Sequence, residues 1–320
     1  MPLRVPAQVH IVEVGPRDGL QIEPRTLSTA DKVALIDRLS GCGALEKIEA
    51  GSFVRPDLVP QMADSQEVFR AIRRRPPIRY MGLVGNSRGA ERAIEAGVDE
   101  IDFSVAASET FNRRNVRKGI DESLEELRRI VALAAPARAP APAVPVWVTI
   151  STAFGCPYEG EVPADRVLRL AEAALEAGAA GVVLADTTGM AYPTQVGELV
   201  RQAARLAGTP RLGLHFHNTR GAGLANVLAA LDAGAVRFDG SIGGIGGCPF
   251  APGATGNVCT EDMVHMLHAM GVETGIDLSC LVETARWLEG LLGRPLPGQV
   301  MRAGPRSRRY PVPEERPQAC

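Results

Sequence analysis

The chain has 320 residues, 45% hydrophobic and 22% charged, a soluble globular balance long enough for one large barrel or two smaller domains. A net charge of −2 argues against a nucleic-acid partner held on a bulk basic surface, and the arginines clustered over 70–79 read as a solvated face. No eighteen-residue apolar run exists to span a membrane, and the first six residues carry no apolar signal core, so the expected setting is cytoplasmic.

Residues 9–14 are β-branched and end at Gly15-Pro16, the pattern of a strand meeting a turn. A helix over 31–39 follows, with Val33, Ile36 and Leu39 at helical spacing and Ser28 or Thr29 as its cap. The alternation then repeats. Strands are predicted over 45–50, 78–84, 100–105, 146–151, 181–185, 212–216 and 236–239. Helices are predicted over 65–75, 87–96, 123–134, 164–177, 194–207 and 223–233, several ending in Ala-Gly. Eight β-then-α units with apolar central strands predict a (β/α)8 TIM barrel, a parallel sheet covered by helices. Residues 134–145, rich in Ala and Pro, read as a long loop on the barrel floor rather than an interdomain linker. Helices over 261–270 and 278–292 follow, the second either covering the barrel or forming a dimer face. The expected organisation is one catalytic barrel domain over 1–300 and a poorly ordered Arg/Pro-rich tail over 301–320.

Two counts restrict the chemistry. The three lysines, Lys32, Lys47 and Lys118, leave little scope for a Schiff base; Lys47 alone lies in a strand, where a buried ion pair is the plainer reading. The six cysteines at 42, 156, 248, 259, 280 and 320 lack framework spacing and suggest free thiols in a reducing compartment.

Polar residues gather where strands end, which is where a barrel keeps its functional groups. Those ends are residues 15–21, Glu49, residues 186–189 and residues 213–218. His215 and His217 alternate on one strand, so both imidazoles face one side with Cα atoms about 6.5–7 Å apart. With the Asp18 carboxylate and Asn257 amide from other loops they form a mixed N/O set, suited to octahedral Mg²⁺ or Mn²⁺. Zinc ranks second and would need Cys248 as a ligand. The stretch 240–257 holds seven glycines together with Ile242, Ile245, Cys248 and Phe250. It is too glycine-rich for a helix and too apolar for a linker, so it reads as a shaped functional loop.

These motifs resemble the 3-hydroxy-3-methylglutaryl-CoA lyase family over roughly residues 8–290. The resemblance rests on VEVGPRDGLQ at 12–21, IE at 48–49, SFV at 52–54, AASE at 106–109, GCPYEG at 155–160, DT at 186–187, the His-x-His pair, GGCP at 246–249 and GN at 256–257. It implies a metal-dependent retro-Claisen lyase acting on 3-hydroxy-3-methylglutaryl-CoA or a related 3-hydroxyacyl-CoA. It further implies Asp18, His215, His217 and Asn257 as metal ligands, Arg17 as the cation meeting the enolate, and Cys248 as the loop acid. Glu49, Gln21 and Asp186 would orient the site, with Thr187 beside them; Asp18 or His215 would take the hydroxyl proton.

The family's opening motif usually continues Gln-Asn-Glu-Lys, where this chain has Gln21-Ile22-Glu23-Pro24; Val183 stands in place of a hydroxyl and Arg220 adds a charge. The chemistry therefore transfers more firmly than the acyl group. A citramalyl-CoA-type lyase is one alternative, and a Claisen-condensing synthase using acetyl-CoA another, although such synthases usually carry a further C-terminal domain. A barrel that binds metal or CoA without turnover is the non-enzymatic reading. Asn86 and the pair Arg113–Arg114 are weak candidates for contacts to the CoA phosphates, and a homodimer is the expected assembly.

Overall fold

The structure, a computed structural model, describes residues 3–135, 143–247 and 256–311. Eight parallel strands close into a barrel in chain order: β1 His10–Glu13, β2 Lys47–Ser52, β3 Arg79–Val84, β4 Glu100–Ala106, β5 Val146–Ser151, β6 Gly181–Asp186, β7 Leu212–Phe216 and β8 Arg237–Gly240. The helices are α1 Thr29–Ser40, α2 Ser65–Ala71, α3 Ser87–Glu95, α4 Glu109–Val116, α5 Ile120–Ala134, α6 Ala164–Glu176, α7 Pro193–Ala207, α8 Gly223–Asp232, α9 Thr260–Ala269, α10 Leu278–Leu292 and α11 Val300–Ala303. All eight predicted strands are present, and β1 pairs with both β2 and β8 to close the ring.

The helices show why the sequence folds this way. Ser28 caps α1 by accepting from Asp31 N, and Leu35, Ile36 and Leu39 are buried beneath it. Truncating one such buried side chain to alanine removes about 2–5 kcal/mol. The helix α2 stops at Ala71 rather than 75, where Ile72 turns extended. Low apolar periodicity hid α4, although Ser108 caps it by accepting from Phe111 N. One face of α10 is buried, with Leu281, Ala285, Leu288 and Leu292 turned in, and the helix packs on α1, α9 and the loop after β8. The short α11 crosses the expected boundary at 300/301 with Met301 buried; residues 136–142, in the predicted floor loop, and 312–320, at the end of the tail, lie outside the described residues.

The thiol expectation is corrected at two positions. Cys42 and Cys280 are disulfide-bonded, with Cα atoms 5.3 Å apart across a sequence separation of 238. Barrel closure sets α1 beside α10, a neighbourhood that cysteine spacing does not encode. Cys156 and Cys259 are free and buried.

Charged and aromatic side chains fill the barrel floor. Lys47 pairs with Glu100 at 2.5 Å and lies 3.6 Å above the Trp147 ring, a buried ion pair as expected. Gly181 makes room for that ring: a Cβ there would stand 2.5 Å from Trp147. Above this floor the barrel opens into a cavity of about 760 Å³.

Candidate active site

The strand ends converge on the cavity. β1 runs into a single wide turn, Gly15–Gly19, in which Asp18 N and Gly19 N both donate to Val14 O, at 2.8 and 3.3 Å. Such wide turns recur at functional sites because they re-aim side chains. Here the turn directs Arg17 and Asp18 to the cavity wall, beside Glu49 from β2, His215 from β7 and His217 just past the end of β7.

Arg17 bridges two carboxylates, with Nη1 2.9 Å from Asp18 and Nη2 2.7 Å from Glu49. Burial alone would lower the guanidinium's pKa; Glu49 and Asp18 more than offset that and keep it charged. Burial pushes Glu49 up to about 8, with Arg17 acting in the opposite sense. Burial also works to raise Asp18, but Arg17, His215 and His217 outweigh it and hold the carboxylate below its usual range. Gln21 Nε2 donates to Asp18 at 3.1 Å, fixing the same oxygen that Arg17 holds.

The two imidazoles behave differently. Their ring centroids are 5.1 Å apart. Burial and then His215 push His217 down to about 3, so it stays neutral at physiological pH and its buried Nδ1 has no partner among the described residues. Burial acts to lower His215 as well, but Asp239, 3.2 Å from its Nδ1, raises it above the ordinary histidine value. Asp239 thereby fixes the ring and leaves Nε2 for the cavity, the second-sphere arrangement of a metal-ligating histidine.

One ligand atom each from Asp18, His215 and His217 lies within 4.8 Å of the others. The Asn257 amide nitrogen is spent on Asp18 at 2.8 Å and on Ile245 O at 3.1 Å, which leaves its buried Oδ1 without a partner. A buried polar atom left unsatisfied costs about 1–3 kcal/mol, so two such atoms beside three clustered ligand groups are what a cation site requires. Asp18, Glu49, Asp102 and Asp239 all line this cavity, with the Arg17 guanidinium between the first two.

The other predicted residues divide. Thr187 lines the cavity and its hydroxyl accepts from Thr152 N at 2.9 Å. Asp186 is absent from the cavity wall; it accepts from Met190 N and Ala191 N at 2.7 and 3.1 Å and so shapes the loop after β6. Asn86 does not reach the cavity either, because its side chain caps α3 by accepting from Gly89 N at 2.9 Å. Arg114 is on the cavity rim, whereas Arg113 pairs with Glu109 at 2.7 Å. Cys248 lies outside the described residues; its neighbour Gly247 lines the cavity, and Gly246 adopts φ 111, a left-handed conformation that favours glycine. Sequence reasoning missed Asp239 and Asp102, each a single carboxylate in a strand with no local pattern to mark it.

A closed parallel barrel with two histidines, a carboxylate and a free amide oxygen at its carboxyl end defines the class, a (β/α)8 enzyme whose side chains are able to hold a metal ion. The chain belongs to the HMGL-like family, whose model matches residues 8–288. It is 44% identical to the hydroxymethylglutaryl-CoA lyase YngG of Bacillus subtilis over 92% of this chain and 96% of that one. To the (R)-citramalyl-CoA lyase of Chloroflexus aurantiacus it is 45% identical, over 93% and 95%. The solved structure of an HMG-CoA lyase from Acinetobacter baumannii, in complex with coenzyme A and 3-methylmalate, superposes with a TM-score of 0.92 at 45% identity, covering 96% of this chain and 98% of the other.

Proposed function

We propose that the chain is a metal-dependent carbon–carbon lyase that cleaves 3-hydroxy-3-methylglutaryl-CoA, or a closely related 3-hydroxyacyl-CoA, to acetyl-CoA and an oxo acid, acetoacetate for the named substrate. The observation that carries this reading is Arg17 held between Asp18 and Glu49 beside the two histidines, inside one cavity. Asp18, His215, His217 and Asn257 Oδ1 would hold a divalent ion, and their N/O character supports Mg²⁺ or Mn²⁺ ahead of zinc. When bound, such an ion lowers the pKa of a hydroxyl placed against it.

The chain's own groups account for the remaining steps. The C3 hydroxyl proton passes to Asp18 or His215, the two bases beside His217. As C3–O becomes a carbonyl, the C2–C3 electron pair moves to C2 and charge develops on the thioester oxygen. Arg17 is already fixed by two carboxylates, so it meets that charge without reorganising. Its Nε is buried without a partner among the described residues, a donor still free for an anion. Cys248 returns a proton to C2, balancing the one lost from the hydroxyl, and Gly247 on the cavity wall supports its delivery from that loop. A second thioester, citramalyl-CoA, stands beside the first because the Chloroflexus relative is as similar as the Bacillus one. A cytoplasmic homodimer goes with this reading; no helix among the described residues is long and apolar enough to cross a membrane.

The test is incubation with a panel of 3-hydroxyacyl-CoA thioesters and identification of products by mass spectrometry. Acetyl-CoA and an oxo acid in equal amounts are expected; CoA release only when 2-oxo acids and acetyl-CoA are supplied would instead indicate the condensing synthase. Cys248→Ala is expected to lower kcat by about 10²-fold, the usual contribution of a positioned general acid. An unchanged kcat would remove Cys248 from that role.

A further inference from the structure

The metal-binding and enolate chemistry uses β1, β2, β7 and the loop after β8, yet the opposite staves of the barrel also present chemistry to the cavity. Asp102 and Ser104 on β4 and Thr149 and Ser151 on β5 all line it. The strands are neighbours in register, with Ser104 facing Thr149. Thr149 donates to Asp102 Oδ1 at 2.8 Å, and the Ser104 and Ser151 hydroxyls share a hydrogen bond of 2.8 Å.

The wall is only half used. Asp102 is 3% exposed, and among the described residues no hydrogen bond reaches its Oδ2. The two serines hold two hydroxyl protons between them and spend one on their shared bond, leaving one donor. The wall therefore offers one charged acceptor and one neutral donor, side by side. Burial raises Asp102 to about 6, with Arg17 and Thr149 opposing, so it is mostly ionised at neutral pH. A methyl group against this wall would leave the carboxylate oxygen without a partner, and a substrate carboxylate would meet a like charge. A hydroxyl fits both halves, donating to Asp102 and accepting from the serine pair.

We infer that the β4–β5 wall selects the substituent on the carbinol carbon, and that the preferred substrates are 3-hydroxyacyl-CoA thioesters whose substituent ends in a hydroxyl. The inference rests on the lyase reading above. Asp102 is then a specificity-determining residue, distinct in role from Arg17 and the metal-binding group.

The experiment compares two CoA thioethers, uncleavable analogues of 3-hydroxy-3-methylglutaryl-CoA that carry either the methyl or a hydroxymethyl substituent, binding to the metal-loaded enzyme by calorimetry. A hydrogen bond to a charged group predicts about 10- to 100-fold tighter binding of the hydroxymethyl compound. Asp102→Val is expected to abolish that preference, Asp102→Asn to keep part of it, and Ser104→Ala to reduce it without touching the carboxylate. Equal affinity for both thioethers in the wild type, or an unchanged preference in Asp102→Val and Ser104→Ala, would overturn the inference while the lyase reading stands. Binding of neither thioether by enzyme that also fails to cleave 3-hydroxy-3-methylglutaryl-CoA would bring down the lyase reading and the inference with it.

Discussion

Exchange of Arg17 for glutamine is expected to lower kcat by about 10³-fold, the scale of losing a preorganised group aimed at developing charge. The guanidinium is held from both sides, by Asp18 at 2.9 Å and Glu49 at 2.7 Å, so its position is set before substrate arrives. Glutamine keeps hydrogen-bonding capacity but loses the charge and the two-pronged fork. It also removes Glu49's partner; burial already pushes that carboxyl up to about 8 against the opposing pull of Arg17, so losing Arg17 moves it further toward the protonated form. Protonation spares the fold most of the penalty of an unpaired buried charge, which otherwise reaches about 3–5 kcal/mol. The check is kcat measured alongside the melting temperature. A large loss of rate with a modest change in melting supports the role; a loss of less than about tenfold removes Arg17 from the enolate step.

Replacing His217 with alanine is expected to abolish stoichiometric binding of Mg²⁺ or Mn²⁺ and to lower turnover by more than about 10³-fold, since a positioned ion supplies several kcal/mol of charge stabilisation. Because burial and His215 push this imidazole down to about 3, it reaches neutral pH ready to bind without first losing a proton. Its buried Nδ1 has no partner among the described residues, which a satisfied core histidine would not tolerate. Metal content after gel filtration, by mass spectrometry, reads the outcome directly. Full metal content in the variant would make His217 a packing residue.

The fold was legible because its signals are local and repeated. Apolar runs of strand length alternate with helical periodicity, and each such run became a strand of the closed barrel. The candidate metal site was partly legible for the same reason: His215 lies in β7 and His217 directly follows its last residue, and period two turns both rings toward one cavity. What stayed hidden depends on contacts distant in sequence. Asp239 is 24 residues from the imidazole it orients, and Asp102 is 47 from the threonine that holds it. A single carboxylate in a strand looks like a solvent-facing charge until the barrel closes. Asn86 was misplaced for the converse reason, since asparagine suits a helix cap as well as a ligand site, and here the cap claims it. The bond between Cys42 and Cys280 joins elements that only the finished ring brings together.

The account's central claim is that carbon–carbon cleavage depends on a divalent ion held by Asp18, His215, His217 and Asn257. The most direct measurement is acetyl-CoA formation from 3-hydroxy-3-methylglutaryl-CoA by enzyme stripped with EDTA, before and after Mg²⁺ or Mn²⁺ is restored. The account predicts no acetyl-CoA from the stripped enzyme and recovery of the full rate on add-back. Undiminished acetyl-CoA formation by the metal-free enzyme would contradict it.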